Sequence, residues 1–96
     1  MEFNSTEEII QDIAAGKIVI LLDDEDRENE GDLVCAAELI DDKKINFMIS
    51  KAKGLVCLPL SPQKCDQLNL PMMTNNNRAK HGTGFTVSIE AAEGIT

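Results

Sequence analysis

The 96 residues of this chain allow one small domain with a modest core, because a chain of this size buries only somewhat over about 60% of its unfolded surface. A net charge of −8 argues against binding to nucleic acid or to an anionic membrane, since both depend on clustered lysine and arginine. Only three aromatic residues are present, all phenylalanine, so stacking on nucleic-acid bases is not expected either.

A capping-box pattern, Ser5-x-x-Glu8, predicts that a helix begins near the N-terminus. The apolar residues that follow recur at helical spacing, and Gly16 is a natural residue just after a helix end. These features predict a helix over residues 6–15. The continuous apolar run over residues 17–22 is too short for another helix, so it indicates a strand that is covered on both faces.

The most unusual stretch is the acidic loop, defined as residues 23–32 with the sequence DDEDRENEGD. Its seven carboxylates and one arginine supply six of the eight net negative charges. The apolar run over residues 33–37 predicts a second strand, so the sheet is expected to hold the loop at both ends. Crowded carboxylates need solvation or a bound cation, and hard oxygen donors suit Mg²⁺ or Mn²⁺. Arg27 is suited to fix a carboxylate or a phosphate, and Gly31 permits a positive φ or a close backbone approach.

Two other interpretations of the acidic loop must be compared with this one. An acidic run is also typical of a solvated turn. Residues 26–31 share the alternation and the sixth-position glycine of an EF-hand calcium loop. That match fails at position twelve, where Ala37 stands in place of the required glutamate, and predicted strands rather than helices flank the loop.

The middle of the chain predicts a second helix and a third strand. Asp41 or Asp42 is suited to cap a helix whose apolar residues keep helical spacing as far as Ala52, and Gly54 ends it. The apolar run over residues 55–59 then predicts a strand, which stops at a proline because proline cannot donate to the ladder.

The last third of the chain predicts a short helix, an irregular segment and a strand. A serine before proline signals a helix over residues 61–68, with Cys65 and Leu68 facing the core. Residues 69–84 are typical either of a mobile surface loop or of a functional loop whose basic residues meet the acidic loop or an anionic substrate group. Residues 85–90 alternate as a strand does, with three apolar residues expected to point inward: Phe85, Val87 and Ile89.

Cysteine usage and the lack of targeting signals indicate the compartment. The number of cysteines is odd, and their spacing is not that of zinc or redox sites: Cys35, Cys57 and Cys65. This predicts buried free thiols in a reducing cytosol. No apolar run approaches the ~18 residues that a bilayer span needs, and the N-terminus does not have the pattern of a signal peptide. The sequence therefore predicts a soluble cytoplasmic protein.

Residues 23–33 resemble the signature of 3,4-dihydroxy-2-butanone 4-phosphate synthase, the lyase of the riboflavin pathway. Further matches follow in the family's order: Gly54-Leu55-Val56-Cys57, Leu70-Pro71-Met72 and His81-Gly82-Thr83-Gly84-Phe85-Thr86-Val87-Ser88. The resemblance implies an α+β fold, with three layers in α-β-α order around a mixed sheet. Residues 1–96 would be the N-terminal half of that domain, and because Glu93-Gly94-Ile95-Thr96 is similar to the start of the next motif, we expect truncation after Thr96.

The resemblance also implies an activity and a set of site residues. The family converts D-ribulose 5-phosphate to formate and 3,4-dihydroxy-2-butanone 4-phosphate, with two Mg²⁺ or Mn²⁺ ions per site. By resemblance, Glu28 is the metal ligand from this half. Asp23 and Glu30 are the catalytic carboxylates, in either an acid–base or a substrate-orienting role. Cys57 matches an active-site position, although core packing explains it as readily. The implied substrate contacts are Arg27, Glu28, Asp32, Thr83 and Thr86.

The family's histidine ligand lies beyond Thr96, and His81 matches a different motif, so His81 does not take its place. The resemblance implies a homodimer that acts on a small sugar phosphate, and it predicts that the 96-residue chain alone is inactive. Two other classes remain open at this point. One is a non-catalytic module that binds divalent cations or a partner through the acidic loop, and the other is an inert remnant of a broken gene.

Overall fold

The computed structural model describes residues 2–74 and 84–95, and the chain divides into two compact units, Met1–Leu58 and Pro59–Thr96. A 3-10 turn (Ala37–Leu39) precedes the second helix, and a π-helical turn (Met48–Ala52) extends it. Within the two described stretches, no helix is long and apolar enough to cross a membrane. The helices and strands are, in chain order, α1 (Thr6–Ala14), β1 (Val19–Leu22), β2 (Gly31–Val34), α2 (Asp42–Phe47) and α3 (Pro62–Gln67).

Helix α1 begins and ends as the sequence predicts, to within one residue. The backbone N–H of Glu8 donates to Oγ of Ser5 at 3.2 Å, and the Glu8 side chain accepts from the Ser5 backbone, which completes the capping box. At the other end, Gly16 has φ +82°, and the Lys17 N–H reaches back to the carbonyl of Asp12 at 2.9 Å. This is the Schellman arrangement, in which a left-handed residue ends the helix and turns the chain towards β1.

Strands β1 and β2 form an antiparallel pair whose register sets Val19 opposite Val34. Strand β2 starts two residues before the predicted strand over residues 33–37 and ends sooner. One more backbone hydrogen bond, from the N–H of Asp23 to the carbonyl of Glu30 at 2.8 Å, continues the ladder into the acidic loop. The prediction that the sheet holds both ends of this loop is therefore confirmed.

The prediction that the first strand is covered on both faces is wrong. Val19 is only 6% exposed, whereas Ile20 and Leu22 are 62% and 56% exposed. A strand is covered on both faces only where other elements pack against each one. The described residues leave the end of β1 next to the acidic loop uncovered.

Helix α2 confirms the predicted cap and shows a change of helix type that the sequence did not predict. Asp41 is the N-cap, and its Oδ1 accepts the N–H of Lys44 at 2.8 Å. From Met48 onward the helix is π-helical, and the N–H of Lys53 donates to the carbonyl of Met48 at 3.1 Å, five residues back. Lys53 and Gly54 then have φ of +60° and +68°, which ends the helix next to the predicted glycine.

The prediction of a strand over residues 55–59 is wrong. Residues 55–60 have no regular secondary structure, and Leu55 is 75% exposed. The apolar, β-branched composition is typical of a strand, but a strand also needs a neighbour that accepts and donates its backbone hydrogen bonds. None of the described residues is paired with this segment in a sheet.

In the second unit, helix α3 begins as predicted. The Ser61 Oγ accepts the N–H of Lys64 at 3.1 Å, with proline in the first turn. Asn69, at φ +55°, ends the helix. Cys65 is half-buried, but Leu68 is 50% exposed, so its predicted place in the core is wrong.

The strand predicted over residues 85–90 is reduced to a single antiparallel bridge between Met72 and Thr86. Two backbone hydrogen bonds flank this bridge, at 2.8 Å and 3.0 Å. Three apolar side chains that were predicted to point inward are exposed instead: Phe85, Val87 and Ile89. Helices beside an antiparallel sheet confirm the α+β class, and the three-layer arrangement stays a prediction.

Candidate functional site

The backbone of the acidic loop is folded on itself around Asp24. The Asp24 carbonyl accepts the N–H groups of Arg27 and Asn29, at 3.0 Å and 3.1 Å. Its Oδ1 accepts the N–H of Asp26 at 2.9 Å, which is the bond of an Asx-turn. Asn29 has φ +51°, a conformation that asparagine adopts more readily than most residues. The loop is therefore an ordered turn with defined side-chain positions.

Three side chains of the loop form one connected array, which we call the Asp23–Arg27–Glu28 array. Oδ2 of Asp23 accepts hydrogen bonds from Nη1 of Arg27 at 2.8 Å and from the backbone N–H of Glu28 at 2.9 Å. The second guanidinium nitrogen, Nη2, lies 2.9 Å from Oε1 of Glu28. Arg27 thus joins two carboxylates through two nitrogen atoms, which is the use that its planar geometry allows and that lysine cannot reproduce.

The array perturbs the acidity of its members. The pKa of Asp23 lies below its ordinary value, chiefly because the backbone N–H of Glu28 stabilises the charged carboxylate, with a smaller effect of Arg27. The pKa of Arg27 is raised, first through its hydrogen bond to Asp23 and then through the negative charges of Asp23, Glu28 and Asp32. Both groups are therefore held in their charged forms at neutral pH.

The backbone at Gly31 closely approaches a neighbouring side chain. A Cβ at this position would lie 3.0 Å from Cδ2 of Leu22, the residue opposite it in the ladder. The positive φ that was considered for Gly31 occurs at Asn29 instead. Of the two uses expected for the glycine, the close approach is the one observed.

The register of the sheet determines where the remaining candidate carboxylates lie. Asp32 is paired with Leu21, and the backbone hydrogen bond from Asp23 to Glu30 continues the same ladder. Because side chains alternate between the faces of a strand, this register places Asp23, Glu30 and Asp32 on one face of the hairpin. Glu30 and Asp32 are both exposed.

The array can supply a metal ligand but does not complete a metal site. Within residues 2–74 and 84–95, no three histidine, cysteine, aspartate or glutamate side chains converge on one point. Glu28 offers a hard carboxylate oxygen, and its side chain remains 34% exposed. Mg²⁺ is commonly held by one or two carboxylates together with water and substrate oxygens. The donor chemistry of Glu28 therefore fits one ligand of such an ion.

A concave surface of the first unit lies elsewhere. It is an open groove of about 540 Å³ on the sheet and α2, with Ile20, Leu33 and Phe47 among its lining residues, and none of the acidic-loop carboxylates lines it. The described residues thus present the acidic loop as an exposed, ordered surface beside the sheet. They do not enclose a substrate around it.

The other candidates lie in different environments. Cys57 is exposed and its Sγ lies 3.7 Å from the carbonyl of Leu55, so its predicted burial is wrong, while all three cysteines are free as predicted. Cys35 and Cys65 are half-buried. Thr86 belongs to the second unit and donates its hydroxyl to the carbonyl of Val87 at 2.9 Å. Thr83 and His81 lie outside the described residues.

Sequence reasoning missed the two residues that shape the loop, Asp24 and Asn29. It counted Asp24 only as a charge, whereas its carbonyl and its carboxylate each accept backbone N–H groups. The signal was available, because aspartate and asparagine favour turns through such bonds and tolerate the left-handed conformation. The acidic composition of the loop indicated only its charge and not this turn.

Comparisons with known proteins agree on one family. The profile of the family described as 3,4-dihydroxy-2-butanone 4-phosphate synthase matches residues 7–96. A 3,4-dihydroxy-2-butanone 4-phosphate synthase from Pseudomonas aeruginosa is 56% identical over all 96 residues, which are 26% of its own length. The chain therefore spans about a quarter of that curated relative.

Two solved structures share the fold of this chain. A two-domain 3,4-dihydroxy-2-butanone 4-phosphate synthase from A. baumannii, RibBX, is 62% identical, with a TM-score of 0.83 over 97% of this chain and 27% of its own. A second synthase, solved in complex with two magnesium ions, is 40% identical, with a TM-score of 0.90 over 95% of this chain and 42% of its own. Together with the profile match, these similarities establish that the chain belongs to the 3,4-dihydroxy-2-butanone 4-phosphate synthase family.

Proposed function

We propose that the full-length protein carrying this chain converts D-ribulose 5-phosphate to formate and 3,4-dihydroxy-2-butanone 4-phosphate in riboflavin biosynthesis. Membership of the family supports this proposal. The observation that carries it is the Asp23–Arg27–Glu28 array, in which a carboxylate suited to a cation lies 2.9 Å from a guanidinium suited to a phosphate. An acidic turn that served only to solvate the chain would not need such an array.

In the proposed site, Glu28 binds the metal. Arg27, Glu28 and Asp32 contact the substrate. Glu28 has an exposed oxygen-bearing side chain, and Arg27 is 53% exposed, so both are open to a ligand. Thr83 and Thr86 are proposed as polar substrate contacts, and Cys57 as an active-site residue. When bound, divalent ions polarise the substrate's oxygens and offset the charge that develops on them.

The proposed proton-transfer group of this loop is Glu30. Enolisation of a ketose phosphate needs a carboxylate that removes a proton next to the carbonyl, and a later dehydration needs a group that returns one. Glu30 is exposed, and its side chain makes no hydrogen bond to any described residue, so its oxygens are open to a substrate. Asp23, on the same face of the hairpin, is the proposed substrate-orienting or acid–base partner.

The ions are proposed to be Mg²⁺ or Mn²⁺, two per site. The solved relative with two magnesium ions supports magnesium for the family. The full-length protein is proposed to be a cytoplasmic homodimer with neither nucleic acid nor a membrane as its partner. The 96-residue chain alone is proposed to be inactive, because no three of its described histidine, cysteine, aspartate or glutamate side chains converge on a metal position, and the described residues do not enclose a substrate.

The test compares the 96-residue chain with a version extended by the downstream coding sequence. Each is supplied with ribulose 5-phosphate and Mg²⁺, and formate is measured. We expect formate from the extended protein only. Formate from neither protein would overturn the proposal and favour the cation-binding module or the inert remnant, which cation binding by calorimetry would then separate.

A further inference from the structure

We propose that Asp23 is a positioning residue, whose carboxylate fixes the Arg27 guanidinium and the Glu28 main chain in the geometry that meets substrate and metal. This inference rests on the proposed function and deepens it. It assigns the orienting alternative to Asp23 and leaves proton transfer to other carboxylates of the site.

The contacts of Asp23 reach both Arg27 and Glu28. One oxygen of Asp23, Oδ2, accepts both the Glu28 N–H at 2.9 Å and Nη1 of Arg27 at 2.8 Å. The other side of the same guanidinium reaches Oε1 of Glu28 at 2.9 Å. Asp23 therefore acts on Glu28 twice, directly at its main chain and through Arg27 at its carboxylate. A single substitution at Asp23 removes both constraints.

Asp23 is less accessible to solvent than the two residues that it contacts. Its side chain is 22% exposed, against 53% for Arg27 and 34% for Glu28. Taken as a whole residue, Asp23 is half-buried, whereas residues 24–32 are all exposed. Arg27 and Glu28 are therefore more open to a ligand than Asp23, which suits Asp23 to position them.

Asp23 is itself anchored to the sheet. Its backbone N–H donates to the Glu30 carbonyl at 2.8 Å, as the next rung after the β1–β2 ladder. This bond holds the backbone of Asp23 to the hairpin. The contacts of Asp23 therefore connect Arg27 and Glu28 to the sheet. Groups that hold a metal ligand from behind typically change metal affinity or activity by roughly 10- to 100-fold when they are removed.

The experiment uses the full-length protein and three variants: Asp23→Ala, Asp23→Asn and the control Asp26→Asn. Asp26 carries the same charge in the same turn, and its side chain accepts no hydrogen bond from the described residues. We measure Mg²⁺ binding by calorimetry without substrate, and kcat and KM for ribulose 5-phosphate at saturating Mg²⁺. Circular dichroism and thermal unfolding report on the fold of each variant.

We expect Asp23→Ala to weaken Mg²⁺ binding roughly 10- to 100-fold and to raise KM, with a much smaller loss of kcat once metal and substrate are saturating. Asp23→Asn keeps an oxygen that accepts the Glu28 N–H, so its losses should be markedly smaller. Asp26→Asn should match the unchanged protein in each quantity.

In the opposite result, Mg²⁺ affinity and KM would be unchanged, and kcat would be lost equally in Asp23→Ala and Asp23→Asn. That result would assign Asp23 to proton transfer and overturn the inference. If Asp23→Ala fails to fold, Asp23→Asn alone decides between these two patterns. If the unchanged full-length protein makes no formate, the proposed function fails. The calorimetric comparison then still decides whether Asp23 positions the cation-binding carboxylate.

Discussion

Nη2 of Arg27 lies 2.9 Å from Oε1 of Glu28, its neighbour in the chain. Adjacent residues in an extended strand point to opposite faces, so this contact exists only because the loop turns between them. Oε2 of Glu28 makes no hydrogen bond to any described residue. The carboxylate therefore has one oxygen held by the protein and one available to a cation.

Replacing Glu28 by glutamine in the full-length protein should abolish formate production, because the amide keeps the shape but gives up the charge that a divalent ion requires. The free energy of unfolding should change by no more than about 0.5 kcal/mol, as expected for an exposed position. Glu25→Gln, the same chemical change at an exposed position of the same turn, is the control and should keep full activity. Retention of most activity in Glu28→Gln would count against the metal role.

Arg27→Lys should raise KM for ribulose 5-phosphate roughly ten-fold, because lysine offers one nitrogen where Arg27 uses two. The positive charge is conserved in this variant, so a raised KM would result from the lost geometry of the guanidinium. The measurement is steady-state kinetics at saturating Mg²⁺, with Lys17→Arg as a control of equal charge outside the loop. An unchanged KM would show that a point charge is sufficient at this position.

The hydrogen bond from the Glu28 N–H to Asp23 should weaken in acid. The pKa of Asp23 is lowered in the folded protein, so the extra stabilisation from the charged carboxylate is fully present above the ordinary value of 3.8 and disappears as the pH falls through the lower folded-state value. The amide chemical shift of Glu28, followed by NMR from pH 6 downward in about half-unit steps, should titrate below 3.8. In Asp23→Asn that titration should vanish, and its persistence would assign it to another group.

Two glycines provide a matched test of the left-handed positions. Gly54 has φ +68°, and a methyl group added there would meet no atom within 4 Å, so Gly54→Ala should cost only the conformational strain, about 1 kcal/mol. Gly16 has φ +82°, and its added Cβ would lie 3.3 Å from Cβ of Leu39. Gly16→Ala should therefore destabilise by roughly 2 kcal/mol, measured by urea unfolding of the full-length protein. Equal costs at both positions would show that Leu39 moves aside freely.

The features that could be predicted from the sequence are those set by neighbouring residues. The capping box at Ser5, the caps at Asp41 and Ser61 and the end of α1 at Gly16 each depend on residues within one or two helical turns. The attachment of the acidic loop to two strands follows from the apolar runs that flank it. Local chemistry is sufficient for all of these.

The features that could not be predicted depend on distant partners or on details of backbone geometry. Residues 55–59 have the composition of a strand, yet strand formation also requires a paired neighbour, which composition does not reveal. The bond from Glu28 to Asp23 spans five residues of irregular turn, for which no sequence period exists. The resemblance indicated which residues matter, while only the structure shows that one oxygen of Asp23 contacts both Arg27 and Glu28.

Among the described residues, the hydrogen bonds within the acidic loop join residues that are close in sequence. The most widely separated pair, Asp23 and Glu30, is only seven positions apart. Such contacts close quickly, and they join residues that are all synthesised by the end of β2. The ligand-bearing turn can therefore take shape on the nascent chain while most of the polypeptide is still untranslated, and the later segments meet a template that is already in place.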